Sequence, residues 1–203
     1  MFAYRMIANT DTVTQIGLLT FNPKEQKSFF ERLNSTSRPR FGTPYVFPVS
    51  TILKSDTPTR ETFIAFHLPK VMRGIAAEIS TWKDMSVYDG IRRIIPLFRF
   101  QHEFLWTEVL IDVAYQYPER IDLFARFPIG PGSLPTMQRL GGAQESSEFV
   151  ATLAGHRLDG GVSYNGIPLR LSAENWEGIG CEFRKYTNLK NGMGRKRLYR
   201  ENP

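Results

Sequence analysis

A single cysteine, Cys181, stands in a chain of 203 residues, so no disulfide can form within it and a cystine-stapled secreted scaffold is excluded. Long apolar runs are missing as well. Stretches such as 109–114 fall far short of the roughly 20 residues that a membrane helix needs, and residues 1–9 lack the apolar region of a signal peptide. A soluble, cytoplasmic protein without a membrane partner is expected. The three histidines, His67, His102 and His156, are scattered and have no ligand-spaced companions, and Cys181 has no second cysteine, so no metal site is read. A Gly-x-x-x-x-Gly-Lys-Ser loop, a Ser-His-Asp arrangement and internal repeats are also absent, which removes the commonest nucleotide-binding, hydrolase and solenoid signatures.

Apolar residues make up 41% of the chain, enough for one sizeable core. The organisation expected is a single helical domain over 1–203 with a basic segment at 184–203. That segment carries seven cations, Arg184, Lys185, Lys190, Arg195, Lys196, Arg197 and Arg200, against Glu201 alone, which accounts for the whole formal charge of +6. A neutral body with a cationic end suits a polyanion, because clustered Lys and Arg release counterions from phosphates; a solvated tail is the alternative.

Most segments read as helix. Residues 23–33 place Phe29, Phe30 and Leu33 at helical spacing behind Asn22, a cap residue, and Pro23 at the first helical position. Residues 35–48 read as a loop and 55–59 as a turn. An apolar face runs from Phe63 to Ile79, interrupted near Pro69, as two helices or one kinked helix. A helix over 87–95 follows Ser86 and stops at Pro96, and 104–115, the most apolar stretch, predicts a buried central helix. Gly130, Pro131, Gly132 and Ser133 form a turn before a short helix reaching Leu140, where backbone N–H groups favour anions. Residues 141–175 show little helical periodicity, with turn signals at Gly160-Gly161 and Asn165-Gly166 and a hairpin expected around 162–171, within an irregular or β insertion near 160–172.

Three stretches, in order, resemble a known family. They are Tyr4-Arg5-Met6; Phe104-Leu105 with Glu108, Leu110, Ile111 and Asp112, followed by Gly130-Pro131-Gly132-Ser133; and Cys181-Glu182-Phe183-Arg184-Lys185-Tyr186 with Gly192, Gly194, Arg195 and Tyr199. They look like the alpha-glutamyl/putrescinyl thymine pyrophosphorylases and the helical domain of 5-hydroxymethyldeoxyuridine DNA kinases, a group found in phages that hypermodify thymine. The chain departs from that pattern at Phe100-Gln101-His102-Glu103, where the family has a Gly-x-Gly-Pro hairpin, and at Ala125, where an aspartate is common and Asp122 is the nearest carboxylate.

The resemblance implies a mainly α, helix-hairpin-helix, DNA-glycosylase-like fold. It implies a transferase that replaces the pyrophosphate of activated 5-hydroxymethyluracil in DNA with an amino acid or polyamine. A hydroxymethyluracil DNA kinase would be the upstream partner, and the host cytoplasm the compartment of a phage-encoded chain. No cofactor is implied, although a divalent metal accompanying the diphosphate is compatible with the reaction. Such chemistry needs cations or N–H donors for the leaving diphosphate and a base for the amine. It also needs access to a methylene that lies in the major groove or on an extruded base.

Candidates follow from those demands. Arg184, Lys185, Arg195, Lys196 and Arg197 are read as DNA or phosphate ligands, and Gly130, Gly132 and Ser133 as N–H donors; a surface helix and an ordinary connecting turn are the alternatives. Glu182 is the base read for the amine, or else the ion-pair partner of Lys185. Glu108 and Asp112, four residues apart on one helix face, either wall a polar pocket or meet Arg5, Arg92 or Arg93 in salt bridges; Arg5 belongs to the same site in both versions. Trp82, Trp106 and Trp176 are stacking candidates for an extruded base, with core packing preferred for Trp106. Two other functions stay open: a DNA-binding or scaffold module without chemistry, and a glycosylase-like enzyme that removes a modified base.

Overall fold

In the computed structural model, which describes residues 1–42, 59–97, 103–156 and 163–194, helices dominate and each strand is two residues long. Residues 43–48 of the loop expected over 35–48 and 55–58 of the turn expected over 55–59 fall outside the described residues, as do Phe100, Gln101 and His102, the Gly160-Gly161 turn and the cations Arg195, Lys196 and Arg197. The chain divides into two units: Met1–Met85 with Asp89–Ile121, and Ser86–Tyr88 with Asp122–Pro203.

The first unit begins with α1 (Phe2–Ile7) and α2 (Thr10–Ile16), neither of which sequence periodicity singles out. Capping explains α2: the Asn9 side chain accepts from the Thr12 N–H at 3.0 Å. In α3 (Pro23–Ser35) Asn22 caps through the Lys24 N–H and Pro23 opens the helix, as its sequence predicts. Phe29 and Leu33 are fully buried there.

Beyond α3, α4 (Arg60–Thr62) runs through a π-helical segment (Phe63–His67) into α5 (Leu68–Ser80). Pro69 does not break the helix. It has no N–H, and its ring would collide with the carbonyl four residues back in α geometry. Widening the preceding turn so that the Leu68 N–H reaches the Phe63 carbonyl removes the conflict while Phe63, Ile64, Ala65 and Leu68 stay buried.

Two further helices complete this unit. They are α6 (Val87–Ile94), which follows β1 (Met85–Ser86), has its first two residues in the second unit and gives way to a 3-10 turn at Ile95–Leu97, and α7 (Glu103–Gln116). Gly90 on α6 is required by close packing, because a β-carbon there would stand 2.9 Å from the Trp82 ring. On α7 Leu105, Trp106, Val109, Leu110 and Ala114 are buried as expected, but Phe104 and Tyr115 are exposed. They sit on the same side of the helix as Glu108, away from the core positions. α1 packs on α7, with the Phe2 and Trp106 rings 4.6 Å apart.

In the second unit, α8 (Leu134–Gly141), α9 (Ser146–Gly155) and α10 (Ala173–Lys190) pack mutually, after β2 (Ile121–Asp122). α9 corrects the sequence reading of 141–175 as non-helical. Its buried face is Ser146, Ser147, Val150 and Ala154, so half of it is serine and hydrophobic periodicity has little to register. The expected hairpin is present: β3 (Ser163–Tyr164) pairs antiparallel with β4 (Ile167–Pro168) around Asn165 and Gly166, both at positive φ. A capping box between Ser172 and Asn175 starts α10. Among the described residues no helix is long and apolar enough to cross a membrane.

Candidate nucleic-acid interface

In the first unit α1 and α7 bring Arg5 against both acidic candidates. The Arg5 guanidinium forks onto Asp112, Nε to Oδ2 at 2.8 Å and Nη2 to Oδ1 at 2.6 Å, while Nη1 donates to Glu108 Oε2 at 2.6 Å. The planar fork matches a carboxylate in two parallel hydrogen bonds, a match that lysine cannot make. Side-chain exposures of 25%, 21% and 30% for Arg5, Glu108 and Asp112 place the cluster at the edge of the unit. Of the two other expected partners, Arg92 and Arg93, the latter pairs with Glu78 at 3.7 Å.

The second unit assembles the Gly-Pro-Gly turn on α10. Three α10 residues at i, i+4 and i+7 grip the turn. Glu177 Oε1 accepts the Gly130 N–H at 3.1 Å, Cys181 lies under Gly132, and Arg184 Nη1 donates to the Pro131 carbonyl at 2.5 Å. Contact this close demands glycine on both sides. A β-carbon on Gly132 would stand 2.7 Å from Cys181 Sγ, and one on Gly180 would run into Ser133 and Met137. The Thr136 hydroxyl closes the joint by donating to the Gly180 carbonyl at 3.0 Å. Cys181 is therefore a packing residue at the turn, the role its sequence context suggests.

The N–H groups of the turn are largely engaged. Gly130 donates to Glu177, and both Ser133 and Leu134 donate to the Gly130 carbonyl, at 3.1 and 3.0 Å. Ser133 is fully buried, so its hydroxyl does not face solvent.

Known protein families, curated proteins and solved structures contain no match to this chain. The site therefore stands on its own geometry.

Glu182 and Lys185 meet in an exposed ion pair, Oε1 to Nζ at 2.5 Å, on the side of α10 turned from the joint. Lys190, one turn further on, is also exposed. Glu177 and Gly180 are functional neighbours that sequence reasoning missed, although the i, i+4, i+7 series Glu177, Cys181, Arg184 was readable once the helix start at Ser172 was known. Trp106 packs in the core as preferred, whereas the stacking reading of Trp82 is corrected. Trp82 and Trp106 are both buried in the first unit, and the Trp82 indole donates to Glu78 at 3.0 Å, so neither ring is presented to a base. Trp176 on α10 is half-buried.

Among the described residues no three His, Cys, Asp or Glu side chains gather as metal ligands. An apolar cavity of about 300 Å³ opens in the first unit, between Phe2, Phe21, Met72, Ile75, Trp106 and Val113. No charged side chain lines it, so it is not built to hold a diphosphate.

Proposed function

We propose that this chain is a transferase of DNA-base hypermodification that exchanges the pyrophosphate on activated 5-hydroxymethyluracil for an amino acid or polyamine. Its scaffold would be a helix-hairpin-helix, DNA-glycosylase-like domain. The observation that carries the proposal is the seating of the Gly-Pro-Gly turn on α10, one helix face away from Glu182 and Lys185. Two of the three stretches that resemble the thymine pyrophosphorylases meet at this joint.

The reaction makes one C–N bond and breaks one C–O bond at the exocyclic methylene. The electron pair of the C–O bond leaves with the diphosphate, towards Lys185, Lys190 and the cations that follow them in sequence. Glu182 takes the proton of the attacking amine. At rest Glu182 is paired with Lys185, and in this reading Lys185 would turn to the diphosphate as the amine approaches Glu182.

A specific observation favours a second reading, a DNA-binding module that delivers substrate to a partner enzyme. The Gly130 N–H, Arg184 and Lys185 each already have a protein partner, Glu177, the Pro131 carbonyl and Glu182 respectively. The deciding experiment incubates the purified chain with DNA carrying pyrophosphorylated hydroxymethyluracil and a panel of amines, then digests the DNA for nucleoside mass spectrometry. An amine adduct supports the transferase. Retained DNA binding without adduct supports the module, release of free base points to a glycosylase, and neither binding nor product overturns all three.

A further inference from the structure

We infer that the apolar cavity of the first unit is a binding site for an uncharged, hydrocarbon-like small molecule of about ten carbon atoms. The site lies beyond the reaction proposed for α10 and does not depend on it. α1 contributes Phe2, α5 contributes Met72 and Ile75, α7 contributes Trp106 and Val113, and residues 19–21 close the remaining side. Phe2, Ile75, Trp106 and Val113 are buried, so the walls belong to the core and the space between them is preformed. Entry is at the rim, where Phe21 is 47% exposed and Ala76 is exposed beside it in the lining. Arg73, outside the lining, lies 5.4 Å over the Phe21 ring, a cation–π contact that favours the ring at the rim over its collapse inwards.

Water is a poor occupant. A buried water needs roughly two to four polar partners, and both hydroxyls in the lining are already engaged. Tyr4 Oη donates to the Gly17 carbonyl at 3.1 Å and accepts from the Leu19 N–H at 2.8 Å. Thr20 Oγ1 donates to Glu25 at 2.5 Å and accepts from the Asn22 N–H at 3.2 Å. Leaving the space empty is unfavourable too, because the cost of a void grows with its volume and packed interiors hold few voids larger than a water molecule. An apolar solute meets neither difficulty: it sheds its own hydration and brings dispersion contacts to the walls. Volume sets its size. At roughly 30 Å³ per heavy atom in a liquid, about 300 Å³ takes about ten such atoms, too few for a helix or a nucleotide. The lining sets its charge, since an ionised group would leave water for walls without a charged side chain to answer it.

Calorimetric titration of the full chain with straight-chain alcohols from hexanol to dodecanol, and with naphthalene, tests this. Binding is expected to saturate and to tighten about fourfold with each added methylene up to about decanol, then to level off as the cavity fills. Naphthalene offers the same number of carbons as a compact plate. Tighter binding than decanol assigns a ring to the site, and weaker binding a chain. Ala76→Trp should block the rim and weaken decanol by about tenfold or more, while the ligand-free protein keeps its melting temperature. Met72→Ala removes part of the wall and should move the best-fitting alcohol about two carbons longer, a shift that a folding defect cannot produce.

Absence of saturable binding by every probe overturns the site. Affinity that keeps climbing through dodecanol does so as well, because it describes adsorption to exposed apolar surface rather than a cavity of fixed capacity. Decanol binding left intact in a folded Ala76→Trp variant, or an unmoved length optimum in Met72→Ala, places the ligand elsewhere and also sinks the proposal. Melting that responds to protein concentration and not to decanol gives the cavity to a side chain of a second copy, which excludes the small molecule.

Discussion

Gly132 and Cys181 lie so close that a β-carbon on the glycine would stand 2.7 Å from the cysteine sulfur. The turn that carries Gly132 and the helix that carries Cys181 are thus seated without a spare methyl group between them. Gly132→Ala should destabilise the second unit by about 1–3 kcal/mol, the usual range for forcing an extra methyl into a packed joint. Cys181→Ala in the same chain should return much of that loss by vacating the contested space. Thermal unfolding of the single and double variants checks this; a double variant no more stable than Gly132→Ala places the strain elsewhere.

Arg5 answers two carboxylates at once, which makes it hard to replace. Arg5→Ala leaves Glu108 and Asp112 facing each other with a single net cation removed. Because all three side chains are a fifth to a third exposed, the expected cost is about 2 kcal/mol, between the ~0–1 of an exposed pair and the ~3–5 of a broken buried one. Arg5→Lys should recover little, since an ammonium cannot fork onto Asp112 while reaching Glu108. Urea unfolding provides the measurement, and full stability of the lysine variant would show that charge alone suffices.

Acid should loosen the second unit through Glu145. Partial burial pushes this carboxyl up, but hydrogen bonds from the Ser147 side chain and backbone and the ion pair with Arg126 outweigh it, and the net position is below the ordinary glutamate value. A depressed folded-state pKa gives stability that is present above the unfolded value and lost as pH falls through the lowered one. The contribution should therefore be intact at neutral pH and disappear in the acid range below an ordinary glutamate titration. Arg126 also lies 4.2 Å over the Tyr88 ring, so its placement does not depend on Glu145 alone. Glu145→Gln should flatten this part of the stability profile in melting curves collected from neutral to acid pH; an unchanged slope assigns the acid response to other groups.

The chemistry proposed for α10 is separable from stability there. Glu182 and Lys185 form an exposed i, i+3 pair, worth roughly 0–1 kcal/mol to folding. Glu182→Gln should leave the melting temperature nearly unchanged while reducing amine transfer by about a hundredfold or more, the scale of a lost general base. Lys185→Ala should likewise abolish transfer. Nucleoside mass spectrometry under single-turnover conditions gives both rates, and normal transfer by Glu182→Gln would move the base to another residue.

Helices whose signals are local could be read in advance. Asn22 with Pro23, the apolar 104–115 stretch and the Asn165-Gly166 hairpin all carry their information within a few residues, as caps, period or turn chemistry, and their elements formed where that chemistry placed them. Elements that depend on partners were not legible. The buried face of α9 is half serine, and Ser147 is at home inside only because Arg126 and Glu145 reach it. Pro69 signalled a break, yet the need to keep Phe63 and Leu68 in one core selected a widened turn instead.

Composition and order along the chain by themselves determined a mainly helical protein with a cationic end, an acidic pair four residues apart and a glycine turn before a helix. Only the tertiary structure decided that Arg5 closes on that acidic pair, that Glu177 and Arg184 occupy the turn, and that Trp82 and Trp106 are buried while Phe183 and Tyr186 meet solvent. The reason is physical: spacing along a helix says which side chains share a face, but which face is covered depends on what a distant segment brings against it.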